Sequence, residues 1–127
     1  MGKGRRILLA DSNREVREAV ERLGHQYGYR ILQATTGAEV WKSALGGQLD
    51  LIVLDVTLPD ADGRDLLAQL KKDPRTARIP VLIWSARDPE SDRRIALDLG
   101  AEDYMEKGPP QDLCGKIQRV LLRLEEG

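Results

Sequence analysis

The sequence predicts an α/β domain in which a five-stranded parallel sheet is covered on both faces by helices, a doubly wound (βα)5 sandwich. Three observations predict it. Short apolar runs alternate five times with stretches of helical period, the pattern of parallel strands joined by crossover helices. Two of those runs, Leu49 to Leu54 and Pro80 to Trp84, are nearly all apolar, as central strands buried on both faces must be. The length of 127 residues suits one core, because chains divide only beyond roughly 250 residues, and a single domain over residues 1–127 is expected.

Taken in order, the first strand, Arg6 to Ala10, leads to a helix that repeats Val16, Ala19, Val20 and Leu23 on one face, with Gly24 and Gly28 marking its end. Ser12-x-x-Glu15 has the form of a capping box, which makes Ser12 the expected N-cap. The second strand, Arg30 to Ala34, is followed by a second such box, Thr36-x-x-Glu39, and by a helix striped with Ala38, Trp41 and Leu45. The third strand ends at Leu54, and its helix carries Leu66, Leu67 and Leu70. Pro80 can only open the fourth strand, since it has no amide to give to a ladder. Ile95, Ala96 and Leu99 stripe the fourth helix. The fifth strand, Asp103 to Glu106, precedes a helix marked by Leu113, Ile117, Val120, Leu121 and Leu124.

Composition narrows the function. Apolar residues make up 41%, with two Trp, three Tyr and no Phe, so the core is built from Leu, Val, Ile and Ala. Twenty basic against 21 acidic side chains leave none of the positive charge that a nucleic-acid binder carries, and no direct nucleic-acid partner is expected. No apolar run approaches the roughly 18 residues of a membrane span, and the basic start leads into a run too short for a signal peptide, so a soluble, cytoplasmic protein is expected. Cys114 stands alone, which excludes an internal disulfide, and the single His25 cannot form a histidine cluster. Cys114 reads as a partly buried residue of the last helix, His25 as a surface residue, and Trp41 and Trp84 as packing residues, with Trp84 beside Ser85 as a possible reporter.

In an open parallel sheet a ligand binds beyond the carboxyl ends of the strands. The residues that follow the strands here are Asp11, Ser12 and Asn13 after the first, Asp55 after the third, Ser85 after the fourth and Lys107 after the fifth. If the strand order is 2-1-3-4-5, an order taken from known flavodoxin-like sheets and not read from this sequence, the first and third strands are neighbours and Asp11 lies beside Asp55. Two close carboxylates repel unless a cation sits between them. Mg²⁺ suits such a site, because it prefers oxygen ligands and commonly uses one or two carboxylates plus a phosphate. A lysine and a hydroxyl opposite can hold phosphoryl oxygens, and a carboxylate can act as nucleophile to give an aspartyl phosphate.

These residues resemble a known family. The stretch Leu51-Ile-Val-Leu-Asp-Val-Thr-Leu-Pro-Asp-Ala-Asp-Gly63, with Trp84-Ser-Ala86, Gly100-Ala-Glu-Asp-Tyr104 and Lys107, is similar to the response-regulator receiver (CheY-like) domains of two-component signalling over nearly the whole chain. The resemblance implies that Asp55 accepts a phosphoryl group from a sensor histidine kinase or phosphotransfer protein, with Mg²⁺ held by Asp11, Asp55 and the backbone carbonyl of Thr57. It implies that Ser85 and Lys107 bind the phosphoryl oxygens. It further implies that Tyr104 turns in behind Ser85, changing the face made by the fourth helix, fifth strand and fifth helix for a downstream effector or a homodimer partner. Thr57 and Arg87 would tune the lifetime of the phosphate. Such a domain is a switch and not an enzyme.

Two departures matter. Where the family usually has a second acidic residue this chain has Ser12, which removes one charge of attraction and implies weaker Mg²⁺ binding. Where the family usually has proline after its lysine, through a cis bond, this chain has Gly108; a cis bond there would cost about 2.5 to 4 kcal/mol, so a trans bond is expected. Both departures also suit a second reading, a pseudo-receiver that binds partners without being phosphorylated. A haloacid-dehalogenase-type phosphatase would need a carboxylate where Thr57 stands. A flavin or nucleotide binder would need a glycine loop where Asp11 to Arg14 stands.

Overall fold

The structure, a computed structural model, describes residues 4–86 and 90–126. Its main sheet is parallel throughout: β1 (Arg6–Ala10), β2 (Arg30–Ala34), β3 (Leu51–Leu54), β6 (Val81–Ser85) and β7 (Asp103–Glu106) lie in the order β2-β1-β3-β6-β7. Counted within this sheet that is the expected 2-1-3-4-5. A small antiparallel hairpin, β4 (Thr57–Leu58) with β5 (Ala61–Asp62), follows β3 and was not expected, since two-residue strands are too short to show an alternation. Three boundaries also move, one of them the end of the fourth strand, which takes in Ser85. The third strand starts at Leu51, because Asp50 is occupied at the corner: its amide donates to the Arg6 carbonyl and its carboxylate accepts from the Arg6 amide. Pro80 lies just outside β6 and offers only its carbonyl, which accepts from the Ile52 amide at 2.9 Å.

The helices are α1 (Arg14–Gln26), α2 (Gly37–Gly46), α3 (Gly63–Lys72), α4 (Glu90–Asp98) and α5 (Pro110–Glu126). Strand alternation sends Leu8, Ala10, Ile52, Leu54, Val81 and Ile83 to the side covered by α2, α3 and α4. It sends Ile7, Leu9, Val53, Leu82 and Trp84 to the side covered by α1 and α5. Burial of each such aliphatic side chain stabilises the fold by about 1.5 to 3 kcal/mol, and the two layers trap the sheet between them. Among the described residues no helix is long and apolar enough to cross a membrane.

Several local expectations are corrected. Asn13, not Ser12, caps α1, its side chain accepting from the Val16 amide; the Asp11 carboxylate takes the Asn13 amide and so delays the helix by one residue. Thr36 does cap α2, but Glu39 reaches back to Thr35 instead of completing the box on Thr36. The buried stripe of α2 is Gly37, Val40 and Ala44, one residue off the expected set, and Leu45 is exposed. Small residues decide this, since a Cβ on Gly37 would come within 2.8 Å of the Ala61 Cβ. Gly24 lies inside α1, packed so closely on Ile31 that a Cβ would come within 2.7 Å of its side chain, and does not end the helix. On α4 Ala96 is buried while Ile95 is exposed, and Cys114 is fully buried.

Tyr29, stacked on Tyr27 with ring centroids 5.6 Å apart, supplies a pH-dependent term. Burial pushes its phenol from 10.0 up to about 12. The folded state therefore holds a proton that the unfolded chain releases above pH 10, so this stabilisation is complete below pH 10 and is lost as pH rises towards 12. Tyr29→Phe, which cannot ionise, is expected to show a shallower fall in urea midpoint across that window, measured against the unsubstituted protein.

Candidate functional site

The C-terminal ends of β1, β3, β6 and β7 bring the expected polar residues to one edge. β1 and β3 are hydrogen-bonded neighbours with Ala10 opposite Leu54, so the next residue on each strand is a carboxylate, Asp11 and Asp55. Their amides complete the ladder, Asp11 to the Ala34 carbonyl and Asp55 to the Ala10 carbonyl, both at 3.1 Å. Both side chains are buried, Asp11 1% exposed and Asp55 7%. Two buried acids side by side are costly unless compensated. Lys107 compensates them: its Nζ donates to Asp11 Oδ2 at 2.5 Å and to Asp55 Oδ2 at 2.8 Å.

The other oxygen of each carboxylate is fixed by backbone, Asp11 Oδ1 accepting from the Asn13 amide and Asp55 Oδ1 from the Thr57 amide. Burial works against the Lys107 ammonium, but the hydrogen bonds it donates to Asp11 and Asp55 outweigh it and hold its pKa above the ordinary lysine value. The Lys107 amide also donates to the Ser85 carbonyl at 2.7 Å, which ties the end of β7 to β6. No cis peptide occurs among the described residues, in accord with the trans bond expected before Gly108.

Two carboxylates and one ammonium leave the cluster with one net negative charge and with carboxylate lone pairs unused, a hard-oxygen set that fits a divalent cation. Among the described residues no group of three or more His, Cys, Asp or Glu could hold a metal, so such an ion would rest on Asp11, Asp55, the Thr57 carbonyl and water, as Mg²⁺ commonly does. Ser85 is buried at the end of β6, and Ser12 is exposed at the rim. Tyr104 is 2% exposed and packs on the α2, α3 and α4 side, with the Arg93 guanidinium 5.6 Å above its ring. Arg87 falls outside the described residues.

Two contributors escaped the sequence reading. Arg17, one turn into α1, donates to the Asp11 carbonyl at 2.8 Å and holds that backbone from behind; in sequence it reads as one more charge on a solvated face. Trp84 lies under Lys107, with Nζ 5.3 Å from the centre of the indole, and its buried Nε1 has no hydrogen-bond partner among the described residues. An unsatisfied buried donor costs about 1 to 3 kcal/mol.

Residues 7–118 match the family model described as the response regulator receiver domain. The chain belongs to this family. It is 35% identical over 123 residues, 96% of its length, to the transcriptional regulatory protein GltR of Pseudomonas aeruginosa. It is 34% identical over 122 residues to the alkaline phosphatase synthesis transcriptional regulatory protein PhoP of Bacillus subtilis. This receiver spans about half the length of these curated relatives, 51% and 50%. Among solved structures, the receiver domain of the Francisella response regulator 1452 superimposes with a TM-score of 0.86 at 25% identity, covering 95% of this chain and 99% of that one. The receiver is thus the response-regulator module of two-component systems, with the CheY-like sheet order found above.

Proposed function

We propose that this receiver is a phosphorylation switch in which Asp55 accepts a phosphoryl group from a sensor histidine kinase or phosphotransfer protein. The observation that carries this reading is the bridge of Lys107 between the buried Asp11 and Asp55 carboxylates. It holds a nucleophilic oxygen, a second acid for a cation and a point charge for phosphoryl oxygens within one hydrogen-bonded set.

In the transfer, an Asp55 carboxylate oxygen forms the new P–O bond as the P–N bond to the donor histidine breaks, and the departing imidazole keeps that electron pair and takes up a proton. Asp11, Asp55 and the Thr57 carbonyl would hold Mg²⁺, which when bound would supply charge neutralisation at the phosphoryl oxygens. Lys107 turns its ammonium from the carboxylates to those oxygens, and the Ser85 hydroxyl binds another. Ser12 stands where a carboxylate would add a full charge, so the requirement for Mg²⁺ is high. Thr57 and Arg87, each two residues beyond Asp55 and Ser85, set the access of water to the acyl phosphate.

Addition of about 1.5 to 2 negative charges beside Ser85 and Tyr104 changes the surface of α4, β7 and α5. There the exposed Ile95 and Leu97 offer apolar contact for an effector or a second copy. The experiment is incubation with Mg²⁺ and acetyl phosphate, read by intact mass. One phosphoryl adduct is expected in the unsubstituted protein, none without Mg²⁺ and none in Asp55→Asn. Absence of an adduct at high Mg²⁺, together with failure to form a beryllofluoride complex, replaces this reading with that of a pseudo-receiver that acts only by binding.

A further inference from the structure

The geometry points to Trp84 as a positioning residue for the switch lysine: its indole face is the support on which the Lys107 ammonium is aimed at Asp11 and Asp55. This inference rests on the proposed phosphorylation of Asp55. Lys107 follows β7, the strand at the sheet edge, whereas Asp55 and Asp11 follow β3 and β1. The lysine must therefore reach across the end of β6, over a lateral distance of two strand spacings to Asp55, about 10 Å. A lysine stem is long, flexible and rich in rotamers, so an ammonium sent that far is poorly placed unless something fixes its path.

The sheet sets Trp84 in that path. Trp84 pairs with Met105 across β6 and β7, and alternation brings Lys107, two residues beyond Met105, to the same side of the sheet. The ring is 2% exposed and packed among the residues shared by α1 and α5, so its plane is fixed by the core. The ammonium lies 5.3 Å from its centre, within the range of an attractive cation–ring interaction.

Two further features agree. The chain after the lysine offers little restraint, since Gly108 follows it and a Cβ there would meet nothing within 4 Å among the described residues; beside the carboxylates that its ammonium bridges, the hold on Lys107 comes from its own amide on the Ser85 carbonyl and from the ring. The indole Nε1 is buried with no partner among the described residues. A leucine would fill this core position with no orphaned donor, so the feature that sets Trp84 apart from an ordinary core residue is the π face turned to Lys107.

The test uses the whole chain with Trp41→Phe, which leaves Trp84 as the sole indole. First, without metal or phosphodonor, Lys107→Met in this background is expected to change Trp84 emission, because a cation has left the ring. Superimposable spectra overturn the inference. Second, Trp84→Leu is expected to slow acetyl phosphate labelling at saturating Mg²⁺ by about threefold to tenfold, while Trp84→Phe, which keeps an aromatic face, recovers most of the rate. Equal rates for Leu and Phe, whether slow or unchanged, also overturn it, because a role in packing alone does not distinguish an aromatic face. If the unsubstituted protein forms no adduct at all, the proposed function fails, and the emission comparison still decides whether the ring holds the lysine.

Discussion

Lys107→Met is expected to move two properties in opposite directions, slowing phosphorylation at least 100-fold while tightening Mg²⁺ binding. The sign of each follows from charge. The unsubstituted cluster carries two carboxylates and one ammonium; methionine keeps the length of the stem and removes the positive charge, so the attraction for a divalent ion grows. On the proposed function, the same loss takes away the point charge that would meet the phosphoryl oxygens, an interaction made most strongly as transfer occurs.

Stability moves as well. Removal of one partner from a buried ion pair costs about 3 to 5 kcal/mol, because the remaining charges stay buried without compensation. In a domain of this size that lowers the melting temperature by on the order of 10 °C. Added Mg²⁺ is expected to restore much of that loss in Lys107→Met and to raise the melting temperature of the unsubstituted protein less. Calorimetry with and without Mg²⁺, beside a titration of the ion, checks all three signs; a variant that binds Mg²⁺ more weakly than the parent contradicts the electrostatic account.

The second large effect is expected at Gly63. Alanine at the first position of a helix usually stabilises by about 0.4 to 1 kcal/mol, through the reduced entropy of the unfolded chain. Here the sign reverses. A Cβ on Gly63 would stand 2.4 Å from the Val56 Cα and 2.7 Å from the Asp55 carbonyl oxygen. Both are backbone atoms that no rotamer change can clear, and the Gly63 amide is already bonded to the Val56 carbonyl at 2.8 Å.

Overpacking of this kind costs about 1 to 3 kcal/mol, so the clash outweighs the entropic gain. Because it pushes on the peptide that follows the acceptor, Gly63→Ala is expected to slow phosphorylation at least tenfold at a temperature where the variant is fully folded. A variant that melts earlier but is labelled at the parental rate would separate the fold from the site and contradict this prediction.

Much of this was legible in the sequence. The strands Arg6–Ala10, Arg30–Ala34 and Asp103–Glu106 have the bounds that periodicity assigned, because short apolar runs set between helical stretches are a strong, local pattern. The polar residues at the strand ends were legible too, since an acid closing an apolar run has no place in a core. What escaped depends on contacts between distant segments. On α2 the stripes 37-40-44 and 38-41-45 have the same period, and only the approach of Ala61 to Gly37 chooses between them. Asp60 bonds to the Gly37 and Ala38 amides at the start of α2, a cap supplied from over 20 residues away that no local motif announces. Arg17 and Trp84 look like a surface charge and a core ring until the fold sets them beside Asp11 and Lys107.

The bonds from Lys107 to Asp11 and Asp55 span 96 and 52 residues of chain, and this has a kinetic consequence. Contacts so distant in sequence carry a large loop-closure cost and form only when the intervening segments have docked. Partly folded species in which β1 and β3 have paired without β7 present the two acids but not the ammonium. On the proposed function, a chain whose β7 has not yet docked would lack the ammonium that labelling of Asp55 uses, and the switch would work only once its sheet is complete.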